Sequence, residues 1–216
     1  MNIRPSSDLS YLLGVLKSDG WVDSRNSIGL SVKDREFAEA FANSLSHVLE
    51  RHTPIFRVTM PLGPQWRAKK MSGEFARWYK SSSLNDIALL VSDHKADFLR
   101  GVYDSEGTLF VRRRGPSSVQ PVYRLYNTDT ELVGLCKYFL DCLDIHSRLN
   151  LERKAGERTV GKTIRLHDLY CLTWQGHKSS RTWEGAVGSS IARKRYVGAG
   201  PSPIRCPRKY LAPLKV

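Results

Sequence analysis

The chain has 216 residues, 41% of them hydrophobic, four cysteines and a formal net charge of +13. That length buries a sizeable core, as one large domain or two small units sharing an interface. No run approaches the roughly 20 apolar residues of a membrane span, and the opening MNIRPSSD has no apolar signal-peptide core, so a cytoplasmic protein with no membrane partner is expected.

Without a C-x-x-C or H-E-x-x-H pattern, Cys136, Cys142, Cys171 and Cys206 read as reduced, buried thiols and not as zinc ligands. The charge is uneven: 14 Lys and Arg meet 13 Asp and Glu up to Gly107, against 20 and 8 beyond it. Such a basic surplus selects an anionic partner, of which a nucleic-acid backbone is the commonest.

In chain order, SDLSYLLGVLKSDG reads as a helix with Leu9, Leu12, Leu13 and Leu16 at helical spacing and Gly20 as a left-handed terminator. The alternation of Ile28, Leu30 and Val32 predicts a strand before Asp34. DREFAEAFANSLSHVL then forms a helix with a Phe37, Phe41, Leu45 and Val48 stripe. IFRVTM and WRAKKM make a hairpin around Leu62 to Gln65, and EFARWYKS is a short helix.

At HKADFLRGVYDSEG the pattern restarts, with Gly14 aligned on Gly101 and Asp19 on Glu106, and with Gly107 as the second terminator. Tyr123, Leu125 and Asn127 precede Asp129 as the strand residues above precede Asp34. DTELVGLCKYFLDCL carries the stripe Leu132, Cys136, Leu140 and Leu143, with Thr128 and Glu131 as a capping box. SRLNLERK pairs with TIRLHDLYCLTW, and SSRTWEGAV closes the unit as a helix. The fold class is therefore α+β, a duplicated αββαββα unit over 1–90 and 91–197, followed by a basic, Pro-containing tail at 198–216.

Both repeat helices end on a carboxylate, where the helix already presents unpaired carbonyls and partial negative charge. Gly14 with Ser18, and Gly101 with Ser105, give each helix a face of small side chains at i,i+4 spacing. Packing on those faces would bring Asp19 beside Glu106 and surround one small volume with oxygen, a site for a hard divalent ion such as Mg²⁺. The plainer alternative is a pair of solvated helix-end acids.

LLGVLKSDG and LRGVYDSEG resemble the two motifs of single-chain LAGLIDADG homing endonucleases, and the resemblance extends over roughly residues 7–197. It implies a monomer with internal pseudo-twofold symmetry, whose two antiparallel sheets form a saddle in the major groove of a double-stranded DNA target. It further implies that Asp19 and Glu106 bind divalent metal, with the Ser18 and Ser105 carbonyls completing the set. Mg²⁺ is the implied ion, with Mn²⁺ substituting and Ca²⁺ supporting binding without cleavage.

IARKRY resembles the family's late basic stretch, making Lys194 the candidate catalytic-site lysine or else a phosphate contact; Lys69, Lys70 and Lys80 are the corresponding candidates in the first repeat. Lys17 departs from the family, standing where Asp104 stands in the second motif. Candidates for reading DNA from the outward strand face are Arg25, Arg67, Lys69, Lys70, Arg112, Arg114, Arg124, Tyr126, Arg148, Arg153, Arg165 and His167. The implied activity is site-specific, metal-dependent double-strand DNA hydrolysis at a long asymmetric target. The alternative is a nucleic-acid-binding maturase or regulator that keeps the fold without cleavage.

Overall fold

The Ser6 hydroxyl accepts the Leu9 amide and so opens helix α1 (Ser7–Leu16), whose Leu9, Leu12, Leu13, Val15 and Leu16 are all buried. The computed structural model describes residues 3–61, 63–115, 119–158 and 164–196; the expected basic tail and Cys206 lie outside them. After a turn at 17–19 come β1 (Trp21–Val22), β2 (Ser27–Val32), α2 (Arg35–Leu49), β3 (Ile55–Met60), β4 (Gly63–Met71) and α3 (Gly73–Ser81). Helix α4 (Leu84–Leu90), started by a Ser83–Asp86 capping box, and a 3₁₀ turn at Ser92–His94 then lead into the second repeat. That repeat comprises α5 (Lys95–Glu106), β5 (Gly107–Arg113), β6 (Val119–Asn127), α6 (Thr130–Cys142), β7 (Arg148–Arg153), β8 (Leu169–Gln175) and α7 (His177–Ala186), with a final 3₁₀ turn at Ala192–Lys194.

The strands form two four-stranded antiparallel sheets with the same order, β1-β2-β4-β3 and β5-β6-β8-β7. In the first, Ile28, Leu30 and Ala68 turn inward onto the helices and are fully buried, while Gly29 and Ser31 pair with Lys69 and Arg67 on the opposite row. In the second, Tyr123, Leu125, Leu172 and Trp174 face inward, and Arg124, Tyr126, Cys171 and Thr173 form the outward row.

The core runs continuously from one repeat to the other through α1 and α5. A Cβ added at Gly14 would stand 2.2 Å from the Phe98 carbonyl oxygen, and one at Gly101 would stand 2.2 Å from that of Tyr11. Each glycine therefore admits the backbone of the opposite helix, as the small-residue faces predict.

Several local expectations are corrected. Gly107 is extended (φ −81°, ψ 151°) and Gly20 is not among the positive-φ glycines, so neither terminates its helix in the left-handed region. Space is what demands them: a Cβ at Gly107 would fall 2.2 Å from the Tyr103 ring, and one at Gly20 would fall 3.0 Å from the Leu16 Cα. The N-cap of α6 is Asp129, whose carboxylate accepts the Glu131 and Leu132 amides, and not Thr128. Cys142 is exposed, unlike Cys136 and Cys171. Of the expected turn Leu62–Gln65, Gly63, Pro64 and Gln65 are instead strand residues of β4 paired with Met60, Thr59 and Val58, and Leu62 lies outside the described residues. β8 begins only at Leu169, which leaves Arg165 and His167 in the preceding loop and not on a sheet.

Candidate functional site

The packing of α1 on α5 carries Asp19 and Glu106 to one end of the central helix pair. Ser18 and Ser105 each turn their hydroxyl back to donate to the carbonyl of the glycine four residues earlier, at 3.1 Å in both repeats. The glycines thus give the approach, and each serine hydroxyl bonds back onto the chain of its own motif.

The acids share one electrostatic environment. Burial pushes the Asp19 carboxyl up, against the pull of Lys194. Burial, and then the Asp19 charge, push Glu106 up to about 7, again against Lys194. The Glu106 carboxylate also accepts a hydrogen bond from the Asn127 amide at 3.3 Å. Asn127 was seen in the sequence only as a strand residue; its neighbour in the fold gives it this further part.

Lys194 is buried, 4% exposed, with its ammonium set against the carboxyl end of α5. Nζ donates to the carbonyls of Asp104 (2.7 Å), Tyr103 (3.2 Å) and Ser105 (3.4 Å). Burial, and then the nearby Arg193, bring its pKa down to about 8, while Asp104, Asp34 and Asp19 oppose the fall.

Asp104, the motif acid replaced by Lys17 in the first repeat, is 1% exposed and gathers hydroxyls from three places. Tyr11 of α1 donates to it at 2.9 Å, and the Ser189 and Ser190 hydroxyls and the Ser190 amide also donate. Arg193 then forks onto Asp34 through two hydrogen bonds, and the Ala192 amide donates to Glu36. Residues 189–193 are therefore a strut from α5 to the start of α2, and they hold Lys194 where it is. No periodic pattern in the sequence announces this strut, because its contacts join residues more than 80 positions apart.

The donor set suits a hard cation. Among the described residues no group of three or more His, Cys, Asp and Glu could hold a metal. What the helix ends offer is two carboxylates beside backbone carbonyls, all oxygen; burial raises both carboxyl pKa values, and the Asp19 charge raises that of Glu106 further. These residues fit a divalent ion of the Mg²⁺ kind.

The outward strand rows hold part of the expected basic set. Arg67 lies on the outward row of β4, donating to the Ser31 hydroxyl, and Lys69 stands over the Trp21 ring at 5.6 Å. Arg112 and Arg148 are exposed, on outward rows of β5 and β7; Arg124 is tied to the Tyr126 hydroxyl at 3.0 Å and lies over the Phe110 ring at 5.1 Å. Arg114 follows β5 and donates to Gln120, and Arg153 ends β7 past an irregularity in register.

Two candidates sit elsewhere. Arg25 belongs to the β1–β2 turn, with its amide bound by the Asp23 carboxylate. Lys70 is on the inward row, opposite Ile28, and its ammonium reaches the sheet edge to donate to the His52 carbonyl. Lys80 is engaged with the Asp23 carbonyl and Asn26.

Two antiparallel sheets of matching order, joined through a pair of glycine-packed helices that lead into acids, make the fold seen in LAGLIDADG proteins. Residues 93–172 match the family described as the LAGLIDADG-like domain. An uncharacterized protein of Methanocaldococcus jannaschii, MJ0314, is 29% identical over 160 residues; the match covers 71% of this chain and only 60% of that protein's length.

Among solved structures, the homing endonuclease I-DmoI in complex with DNA and Mn has the same fold. Its TM-score is 0.57 at 14% identity, covering 84% of this chain and 96% of that one. The N-terminal LAGLIDADG domain of DUF199/WhiA matches at a TM-score of 0.55 and 16% identity, covering 87% of each chain.

Proposed function

We propose that this protein is a site-specific, divalent-metal-dependent DNA endonuclease that hydrolyses both strands of an asymmetric duplex. The observation that carries the reading is the pair Asp19 and Glu106, brought from two repeats into mutual electrostatic range at the end of helices packed backbone to backbone. The use of metal is supported by the all-oxygen donor set and by I-DmoI, whose structures are described with DNA and Ca, with DNA and Mn, and with target DNA in the presence of Mg.

Asp19 and Glu106 would hold the cation, which supplies a water of lowered pKa and neutralises charge developing on the phosphate. The chain's own part is to orient Glu106 through Asn127, to fix the end of α5 through Lys194, and to seat the duplex on the outward strand rows through Arg67, Lys69, Arg112, Arg124 and Arg148. Planar guanidinium groups suit guanine edges and phosphates alike.

A second reading, a nucleic-acid binder without cleavage, has one observation in its favour: the Ser105 carbonyl is already approached by Lys194 Nζ at 3.4 Å. The two separate on a library of duplexes incubated with Mg²⁺. An endonuclease yields double-strand breaks at a recurring site, and Asp19→Asn and Glu106→Gln each lose the double-strand product while still retaining the site in Ca²⁺. A binder retains the site but yields no breaks with any of the three proteins.

A further inference from the structure

The backbone carbonyls of Leu16 and Tyr103 are equivalent in the repeat, each three residues before its acid. Different groups hold them. The Leu16 carbonyl accepts the Tyr79 hydroxyl at 2.9 Å, a neutral partner whose pKa burial raises to about 12. The Tyr103 carbonyl accepts the Lys194 ammonium, which also spans the next two carbonyls. Lys17 does not restore the balance, for its ammonium stands over the Tyr79 ring at 5.3 Å and no hydrogen bond joins it to the end of α1 among the described residues.

Resting on the endonuclease reading above, we propose that the two halves of the acid site are graded in their demand for cations: Lys194 is a built-in cation hydrogen-bonded to the helix end on the Glu106 side, Tyr79 gives the helix end on the Asp19 side only a neutral phenol, and a divalent ion binds first and more tightly on the Asp19 side. The physical reason is local. The end of a helix presents about half an elementary negative charge. At α5 that charge is met in direct contact by a buried ammonium, which also repels an incoming dication; at α1 a phenol satisfies the hydrogen bond, and Lys194 acts on Asp19 only through space. The strut at 189–193 makes the grading permanent, since Arg193 on Asp34, the Ala192 amide on Glu36 and the serines on Asp104 hold Lys194 in place from both repeats. Lys194 and Tyr79 are positioning residues here.

The test is a titration of the full chain, without DNA, with Mn²⁺ followed by its EPR signal, which is lost on binding. The wild type is expected to bind in two steps. Asp19→Asn should weaken the tighter step by about tenfold or more, whereas Glu106→Gln should leave it within about threefold and remove the weaker one. Lys194→Met should tighten the weaker step towards the stronger. Should Lys194→Met fail to fold, Lys194→Gln serves, and the comparison of the two acid variants decides the matter without either.

Equal weakening by the two acid variants, or a tighter step lost with Glu106→Gln, overturns the grading and leaves the endonuclease reading standing. Absence of any Mn²⁺ binding by the wild type overturns the cation site itself, and the grading with it.

Discussion

Glu106 is the residue at which burial and charge act together most plainly. Its carboxyl titrates near 7 in the folded chain against an ordinary value near 4.5, so the fold prefers it protonated. The unfolded chain releases that proton first as pH rises, and stability is therefore lost between about pH 4.5 and 7 and is level above. Asp19, shifted in the same direction, adds to the loss. Thermal melts of the metal-free protein should show this decline, and Glu106→Gln should abolish most of it, gaining on the order of 1–3 kcal/mol at pH 8 and little at pH 4. Divalent cation should reverse the decline in the wild type, because it binds the ionised form. A wild type as stable at pH 8 as at pH 5 without metal would contradict the coupling of these acids.

Among elements, the contact of α1 with α5 governs the rest. With the Phe98 and Tyr11 carbonyl oxygens 2.2 Å from an added Cβ, Gly14→Ala or Gly101→Ala must push two backbones apart. Each should cost about 3 kcal/mol or more in urea unfolding, beyond the usual range for an overpacked side chain, because neither obstructing atom can rotate away. Gly134 of α6 has nothing within 4 Å of its added Cβ, and Gly134→Ala should stabilise by about 0.5–1 kcal/mol.

The same contact shows what was legible in the sequence. Gly14 and Gly101 disclosed the helix interface, because spacing along a helix maps directly onto a face, whereas Ser18 lies in the turn beyond α1. The duplicated order of strands was legible for the same reason, through alternation at Ile28, Leu30 and Val32 and again at Tyr123 and Leu125. The inward row of Lys70 was not, since its long stem crosses the sheet edge and its amine surfaces where an outward residue's would. Nor was the role of Asn127, which depends on where the end of β6 meets the end of α5. Arg165 and His167 misled because the apolar alternation of TIRLHDLYCLTW continues upstream of the point where pairing with β7 stops.

For the molecule as a whole, the basic surplus lies beyond Gly107, and Arg112, Arg124 and Arg148 set part of it on the outward row of the second sheet. In DNA binding followed against salt, Arg112→Ala and Arg148→Ala should each lower the slope of log K on log salt by about one, as expected when one phosphate contact is lost. Lys70→Ala should leave the slope unchanged, its amine being spent on the His52 carbonyl. The strut offers a second measurement: Arg193→Ala removes a forked ion pair whose arginine is 64% exposed, so its cost in stability should be only about 1 kcal/mol. Its effect on Mn²⁺ binding should be larger than that, because the neighbouring Lys194 loses its anchorage.

That strut joins residues near 190 to Asp34 and Glu36, and it settles when the acid pair can mature during synthesis. A ribosome will have made both motif helices long before residues 189–194 emerge. Until they do, the growing chain carries both acids without the lysine that braces the end of α5.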